Sequence, residues 1–290
     1  FDLVVINSVV QYFPNMDYLR RVVEGAVKRV KPGGKLYIGD VQNCALLETY
    51  HLESMLDRSS GSMPLDEFKQ KVAKRIELES ELTIDPDFFL SLEKTMAQIG
   101  HVDIQLRRGR IDNEPTKYHY DVTIHVGDKP VIDESREWLG WNTAEMSLEG
   151  LRDRLEKETP DVLCIADLPN SRLRKPVEAQ KLITDGKDLR SVDDLKNALN
   201  LVANGIHPED IWSLGEKFGY TVEIRPVENG SRGYFDVVFR KDGRTNGVIP
   251  LRHKPPQKKI DEFGNNPADK LSTQNLAAEL RKYLLSSLPD

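Results

Sequence analysis

The sequence predicts an α/β protein built on a partly parallel sheet, and three stretches carry that prediction. Residues 1–7 (FDLVVIN) are almost wholly apolar, which is typical of a strand buried on both faces. Residues 14–34 then space their apolar side chains as an amphipathic helix does, and end at Gly33 and Gly34. Residues 35–41 (KLYIGDV) form a second apolar run. Strand, helix, glycine turn and strand predict a right-handed parallel crossover.

The following residues extend this pattern towards an antiparallel end. The predicted elements are a helical region at 44–80 with a break near 59–64, a helix at 86–100 closed by Gly100, a strand at 101–109 and a strand at 117–127. The last of these strands alternates apolar with polar side chains, which indicates a half-buried antiparallel strand. Residues 1–127 therefore predict the second half of a doubly wound sheet that finishes in an antiparallel hairpin.

Beyond Gly127 the pattern predicts a smaller α/β appendage. Its predicted elements are a helix at 147–160, a strand at 161–169, a helix at 191–203 with Ser191 as N-cap and Asp194 three residues on, a helix from Pro208 to Gly219, and two strands joined at Asn229 and Gly230. Residues 246–272 have the composition of a linker, and residues 276–290 an amphipathic helical pattern. These shifts divide the chain into 1–128, 129–245 and 246–290.

Composition narrows the classes of function. With 39% hydrophobic and 30% charged residues, the 290-residue chain has the profile of a globular protein, and no apolar stretch approaches the roughly 20 residues of a membrane helix. We therefore expect a cytoplasmic protein without a membrane partner. Cys44 and Cys164 have no zinc-site spacing, so no metal is predicted. A net charge of −6 without a basic stripe argues against a nucleic-acid partner.

Polar residues follow both apolar strands at the point where each strand ends. Asn7 and Ser8 come after the first strand, and Asp40 lies at the end of the second. Ligands of open α/β sheets bind at the carboxyl ends of the parallel strands, because the strands deliver their loops to one edge. The sequence therefore predicts a ligand site at this edge.

Six stretches follow one another along the chain: FDLVVINSVVQYFP, VKPGGKLYIGDVQNCALLETYH, ESELTIDPDFF and RRGRIDNEPTKYHYDV, then LPNSRL and WSLGEKFGYTVEI in the appendage. In this order they resemble the S-adenosylmethionine-dependent methyltransferase domains, with their extension, that are embedded in the adenylation domains of nonribosomal peptide synthetases. The resemblance covers nearly the whole chain. It implies a class I, Rossmann-like sheet, S-adenosyl-L-methionine as cofactor, and two partners: a carrier protein with a phosphopantetheine arm and the adenylation domain of the same polypeptide.

The resemblance also implies roles for individual residues. Those that it places against the cofactor and the methyl-transfer channel are Asn7, Ser8, Val9, Gln11 and Tyr12. Those that it places near the aminoacyl thioester are Asp40, Asn113, Glu114 and Tyr118. The alternative for the strand-end residues is simple capping, with Tyr12 as a core aromatic. The alternative for residues 113–118 is an ordinary hairpin loop.

Methylation of an amine needs a neutral nitrogen, alignment with the methyl group and a place for one proton. His51 is the natural acceptor, because its unperturbed pKa of about 6.5 suits proton transfer near neutrality. Glu77 and Glu81 lie four residues apart and would share one face if that segment were helical, so either is a candidate to orient the imidazole. The alternative is that these glutamates form a solvated charge run.

The leading hypothesis is methyl transfer to the α-amino nitrogen of a carrier-bound amino acid. The related polyketide C-methyltransferases use a His/Glu pair for carbon deprotonation, so C- or O-methylation in a polyketide or hybrid synthase stays open. A third alternative is a structural or carrier-docking module without activity.

The cofactor affinity of the 290-residue chain is the first testable prediction. Class I methyltransferases hold the cofactor through a Gly-rich turn after the first strand and an acidic residue after the second. The resemblance implies that this chain starts at the fourth strand and holds only part of that site. We therefore expect isothermal titration to detect weak or no binding of S-adenosylmethionine, and micromolar affinity would contradict the prediction.

Overall fold

The computed structural model describes residues 1–142, 146–185, 188–227, 232–243, 247–252 and 256–268. These residues form two four-stranded mixed sheets with helices, an α/β fold as predicted. None of the described helices is both long and apolar enough to cross a membrane. The predicted helix at 276–290 and the Asn229–Gly230 turn lie outside the described residues.

The first unit contains four strands and five helices among its described residues. Its elements are β1 (Leu3–Asn7), α1 (Met16–Val27), β2 (Lys35–Gln42), α2 (Leu47–Arg58), α3 (Leu65–Glu77), α4 (Asp87–Thr95), β3 (Ile99–Leu106), α5 (Glu114–Tyr118) and β4 (His119–Val126). The strand order is β1-β2-β4-β3, with β1 and β2 parallel and β4 antiparallel to both of its neighbours. The parallel crossover and the terminal hairpin are thus both present.

The second unit has the same kind of sheet. Its elements are β5 (Trp138–Gly140), α6 (Leu148–Asp153) continued by a π-helical turn at Arg154–Glu158, β6 (Val162–Pro169), α7 (Arg174–Thr184), α8 (Val192–Asn200), α9 (Pro208–Phe218), β7 (Tyr220–Pro226) and β8 (Tyr234–Lys241). Strand β5 is an addition to the predicted appendage, since its three residues are too few to give a periodic pattern.

Local signals explain where several helices begin and end. Ser191 and Asp194 form the predicted capping box of α8, and Gly219 ends α9 in the left-handed region with φ 71°. The prediction that Gly100 closes a helix is wrong. Helix α4 ends at Thr95, and Gly100 already lies in β3 because the extended backbone resumes at Ile99.

Strand β1 differs from the prediction that it is buried on both faces. Val4 and Ile6 pack against the core of the first unit, but Leu3 and Val5 are 55% and 56% exposed. The reason is its position, since β1 is an edge strand that pairs with β2 alone among the described strands. One apolar face of the edge strand is therefore open.

The second sheet repeats the first in its strand pairing. Its order is β5-β6-β8-β7, again with one parallel pair and two antiparallel pairs. In the first sheet the ladder is irregular between Ile38 and Val41, and in the second between Ile165 and Leu168. The two sheets thus share their order, their directions and the position of a bulge.

The bulges have the same construction. Asp40 and Asp167 occupy them with left-handed backbones, φ 66° and 59°. The N–H of Asp40 donates to Oδ1 of Asp121 at 2.9 Å, and the N–H of Asp167 donates to Oδ1 of Asp236 at 3.0 Å. Since one aspartate holds the other's backbone in both places, the two units are structural repeats.

The two units meet through their equivalent helices. Leu65 begins α3 and Val192 begins α8, and Met63 and Arg190 lie two residues before them. The N–H of Leu65 donates to the carbonyl of Arg190 at 2.9 Å, and the N–H of Val192 donates to the carbonyl of Met63 at 3.0 Å. The apolar interface is made of matching positions: Leu52 and Ala179, Leu65 and Val192, Phe68 and Leu195, Val72 and Leu199. Such reciprocal contacts indicate a pseudo-two-fold axis between the units.

The exposed edge of β1 generates a prediction about association. An apolar edge strand with unpaired backbone groups favours pairing with another chain, and lysines on such an edge oppose it. We expect the 290-residue chain to self-associate at tens of micromolar, and the double variant Leu3→Lys/Val5→Lys to shift it towards monomer. Sedimentation velocity measures both. Leu201→Lys, at an exposed leucine elsewhere, is the control; monomeric behaviour of the unmodified chain would refute the prediction.

Candidate functional site

The carboxylate of Asp40 accepts hydrogen bonds from side chains at the ends of the other three strands of the first sheet. Its Oδ2 accepts a hydrogen bond from Ser8 Oγ at 2.8 Å, and its Oδ1 accepts one from His119 Nδ1 at 2.8 Å. Arg107, one residue beyond β3, also donates to Oδ1. Burial raises the pKa of Asp40, but the hydrogen bonds from Ser8 and His119 and the charge of Arg107 outweigh it and hold the pKa below its usual value.

The backbone at the two parallel strand ends is unusual. Ser8 has φ 55° and Asp40 φ 66°, in the left-handed region that non-glycine residues rarely adopt. Gly39 packs so closely that an added Cβ would overlap Oδ1 of Asn7. Backbone strain of this kind persists where the surroundings impose it and is concentrated at functional sites. The ends of β1 and β2 are thus held tightly together at the predicted edge.

On its other ring nitrogen, His119 faces Glu114, which in turn is bonded by Tyr50. Nε2 of His119 lies 3.7 Å from Oε1 of Glu114, and Oε2 of Glu114 accepts a hydrogen bond from the Tyr50 hydroxyl at 2.8 Å. His119 and Tyr50 together keep the pKa of Glu114 below its usual value despite partial burial. Burial and the hydrogen bond to Glu114 raise the pKa of Tyr50. At neutral pH the pair is therefore a carboxylate and a neutral phenol.

His51 and Glu79 form a hydrogen-bonded pair beside Tyr50. Nε2 of His51 lies 3.0 Å from Oε2 of Glu79, and both side chains are only 11% exposed. Burial raises the pKa of Glu79, but hydrogen bonds from His51 and from the backbone of Glu81 and Ser80 bring it below the ordinary value. An ionised Glu79 can only accept, so Nε2 of His51 donates in this hydrogen bond and Nδ1 is the ring nitrogen left to act as a base.

A cleft of about 370 Å³ opens over this pair. Its lining residues are Gln42, Tyr50, His51, Arg75, Leu78, Glu79, Ser80, Glu81 and Glu114. Burial and the nearby charges of Glu79 and Glu114 raise the pKa of Glu81. Oε1 of the buried Gln42 has no hydrogen-bond partner among the described residues. The cleft therefore combines negative charge, a histidine base and an available buried acceptor.

The predicted cofactor residues occupy the end of β1 and the turn after it. Asn7, Ser8 and Val9 are exposed there, and Gln11 is buried with an Oε1 that lacks a partner among the described residues. Tyr12 is 72% exposed rather than a core aromatic, and it is not among the residues that line the cleft. The structure therefore brings Ser8 to Asp40 but leaves Tyr12 outside the lining of the cleft at His51.

Neither Glu77 nor Glu81 is the partner of His51. Helix α3 ends at Glu77, so Glu77 and Glu81 do not share a helical face, and Glu77 is exposed to solvent. The chain turns after α3, and Glu79 then reaches His51 while its Oε1 accepts the N–H of Glu81 at 2.9 Å. The physical reason for the correction is the end of the helix, which changes the four-residue spacing into a turn.

The predicted substrate residues make mostly internal contacts. Asn113 is the N-cap of α5, with its Oδ1 accepting the N–H of Thr116. The buried Tyr118 donates its hydroxyl hydrogen to Glu53 at 2.7 Å. Asp40 is held by protein side chains on both oxygens. Of this group only Glu114 lies on the wall of the His51 cleft.

Sequence reasoning missed His119, Arg107, Tyr50 and Glu79. The sequence pattern gave His119 no part in the site, yet it is buried at the centre of the polar network. The available signal was directional: β4 runs antiparallel to β2, so its first residue lies at the same edge as the last residues of β2. Within the described residues no group of three or more His, Cys, Asp and Glu side chains is arranged to hold a metal ion.

Comparison with known proteins relates the whole chain to nonribosomal peptide synthetases. No protein-family model matches it. It is similar to segments of chondramide synthase from Chondromyces crocatus (31% identity over 299 residues), cyclosporin synthetase from Tolypocladium inflatum (28% over 318 residues) and a nonribosomal peptide synthetase from Emericella nidulans (29% over 299 residues). The alignments cover 100%, 99% and 99% of this chain but only 8%, 2% and 11% of those relatives. Similarity along its full length supports a segment of such a synthetase.

The Asp40 network generates a prediction about stability and pH. The variant Asp40→Asn keeps a residue that tolerates the left-handed backbone but removes the charge, and should lower the free energy of unfolding by about 2 kcal/mol at pH 7. Because the folded-state pKa of Asp40 is lowered, this difference should be full above the unfolded pKa of about 3.9 and shrink as the pH falls through the folded pKa.

Urea unfolding of both proteins across pH 3 to 7 measures the difference. Asp66→Asn, at an exposed aspartate on α3, is the control and should change stability by less than about 0.5 kcal/mol. If the difference in the free energy of unfolding between Asp40→Asn and the unmodified chain grows towards low pH, Asp40 is not stabilised as a carboxylate by its neighbours.

Proposed function

We propose that this chain is the part of a nonribosomal peptide synthetase that methylates the α-amino nitrogen of an aminoacyl thioester on a carrier protein. In this proposal the methyl donor is S-adenosyl-L-methionine, and the adenylation domain of the same polypeptide is a neighbour. The observation that carries it is the position of the His51–Glu79 pair, in a cleft joined through Tyr50, Glu114 and His119 to the ends of the parallel strands.

The residues present fit a cationic methyl donor. Asn7 and Ser8 are exposed at the end of β1, where the resemblance places the cofactor. The His51 cleft carries the carboxylates of Glu79 and Glu114, and opposite charges favour a sulfonium or ammonium group. When bound, S-adenosylmethionine supplies an electrophilic methyl group for attack by a lone pair.

The chain's own task is to present a neutral amine and accept its proton. Nδ1 of His51 is the basic nitrogen, because Nε2 donates to Glu79. When His51 takes the proton at Nδ1, the ionised Glu79 stabilises the resulting imidazolium, as a carboxylate does for the histidine base of a catalytic triad. Glu114, fixed by Tyr50, adds a second negative charge on the cleft wall that favours entry of the ammonium form.

C-methylation is the second candidate, since the His51–Glu79 pair is equally suited to removing a proton from an activated carbon. Mass spectrometry of the carrier-bound product distinguishes the candidates. A synthetase module containing this chain is loaded with an amino acid and supplied with methyl-labelled S-adenosylmethionine. Label on the α-nitrogen supports the proposal and label on carbon or oxygen overturns it. The absence of label from a fully loaded, folded module favours the docking alternative.

The mechanism predicts the effects of three substitutions in that module. His51→Ala should lower kcat by about 10²- to 10⁴-fold, the range expected for lost general acid–base catalysis, with little change in cofactor affinity. Glu79→Gln should lower kcat, and its effect should be non-additive with that of His51→Ala because the two residues act as one unit. Glu77→Gln is the matched control at an exposed position and should retain full activity.

Single-turnover kinetics on the carrier-bound substrate separates the methyl-transfer step from loading. Thermal unfolding of each variant reports the folded fraction. If the loss of activity in His51→Ala merely follows the loss of folded protein, the assignment of His51 as the base is wrong.

A further inference from the structure

A buried arginine of the second unit contacts the loop that supplies the site with side chains. Arg172 lies between β6 and α7 and is 1% exposed. Its guanidinium donates to the backbone carbonyls of Arg107 at 2.9 Å, Thr116 at 3.1 Å and Gly109. Its Nε lies 3.4 Å from Oδ1 of Asp112. One side chain therefore ties together both ends and the middle of the loop 107–116.

The start of α9 holds the same loop from a second side. The carboxylate of Glu209 accepts hydrogen bonds from Arg108 at 3.3 and 3.1 Å and from the N–H of Gly109 at 2.7 Å. Nε2 of His207 lies 3.2 Å from Oδ1 of Asp112. Arg172 is the buried centre of this set of contacts, and its planar fork suits the simultaneous binding of several carbonyls.

The opposite side of the loop faces the polar network. Arg107, at its start, donates to Asp40, and Glu114, near its end, accepts from Tyr50 and lies beside His119. Two of the charged groups at the strand ends therefore come from a loop whose backbone Arg172 fixes. Arg172 bonds the backbone carbonyl of Arg107 itself and that of Thr116, two residues after Glu114.

The repeat between the two units shows that the fold does not itself require an arginine here. In the first unit Asn43 accepts the N–H of Ala45, and in the second Asn170 accepts the N–H of Arg172 in the same way. The equivalent position thus holds a methyl group in one unit and a buried guanidinium in the other. Burying a cation costs free energy, so the buried Arg172 calls for an explanation other than the fold that the two units share.

We propose that Arg172 is a positioning residue of the second unit, which holds the loop 107–116 so that Glu114 and Arg107 reach His119 and Asp40. Its effect on the reaction rests on the function proposed above. Its effect on the loop does not, and can be measured without substrate or cofactor.

Hydrogen exchange on the 290-residue chain tests the contact directly. In Arg172→Gln, amides within residues 107–118 should exchange at least about 10-fold faster, while those of β6 and β8 keep their protection. Arg174→Gln is the matched control, because Arg174 donates to Tyr234 and has no hydrogen bond or ion pair with residues 107–116. If Arg172→Gln fails to fold, Arg172→Lys, which keeps the charge and loses the fork, decides the outcome. Unchanged exchange in the loop of a folded variant overturns the proposal.

Methyl transfer by the synthetase module tests the consequence. Arg172→Lys should lower kcat by roughly 10- to 10²-fold, the range that follows from displaced catalytic geometry, with a smaller change in KM. The effect should be non-additive with Glu114→Gln, since both act through the same carboxylate. Full activity despite a loosened loop overturns the positioning role and leaves the proposed function intact. If the unmodified module transfers no methyl group, the proposed function fails and the exchange experiment alone decides the role of Arg172 in the loop.

Discussion

The site depends on one partly buried carboxylate and the donors that it requires. Asp40 lies at a bulge in β2, and hydrogen bonds from Ser8, His119 and Arg107 stabilise its charge. Those donors stand at the ends of β1, β4 and β3, so the need to satisfy one acceptor draws four strand ends to a single point. The left-handed backbone at Asp40 is tolerated because Asp121 accepts its N–H.

The polar groups around this point divide into two sets. Ser8, His119 and Arg107 all donate to Asp40 and form a frame at the strand ends, in which Nε2 of the buried His119 has no hydrogen-bond partner among the described residues. His51 and Glu79 pair with each other at the cleft, and Glu114 links the two sets through Tyr50. The frame thus fixes the geometry, while the groups in the cleft keep a basic nitrogen and carboxylate charge available for a ligand.

The sequence predicted much of the first unit and part of the site, for physical reasons that differ between residues. Apolar runs and a glycine stop identified the parallel pair, so Ser8 and Asp40 could be placed at one edge. Glu79 could not be identified as the partner of His51, because the four-residue spacing of Glu77 and Glu81 suggested a helix through Glu81, whereas α3 ends at Glu77. The three-residue β5 and the repeat were equally hidden, since the units share hydrogen bonds more than they share residue types.

The reciprocal bonds between Leu65 and Arg190 and between Val192 and Met63 give this single chain the internal arrangement of a symmetric dimer. In a true homodimer every side chain of one subunit recurs in the other, whereas two units within one chain can differ. The first unit carries Ser8, His51 and His119 at its strand ends and helix, and the second carries Trp141, Glu178 and Tyr234 at the matching positions. The repeated sheets therefore present one set of these polar groups rather than two.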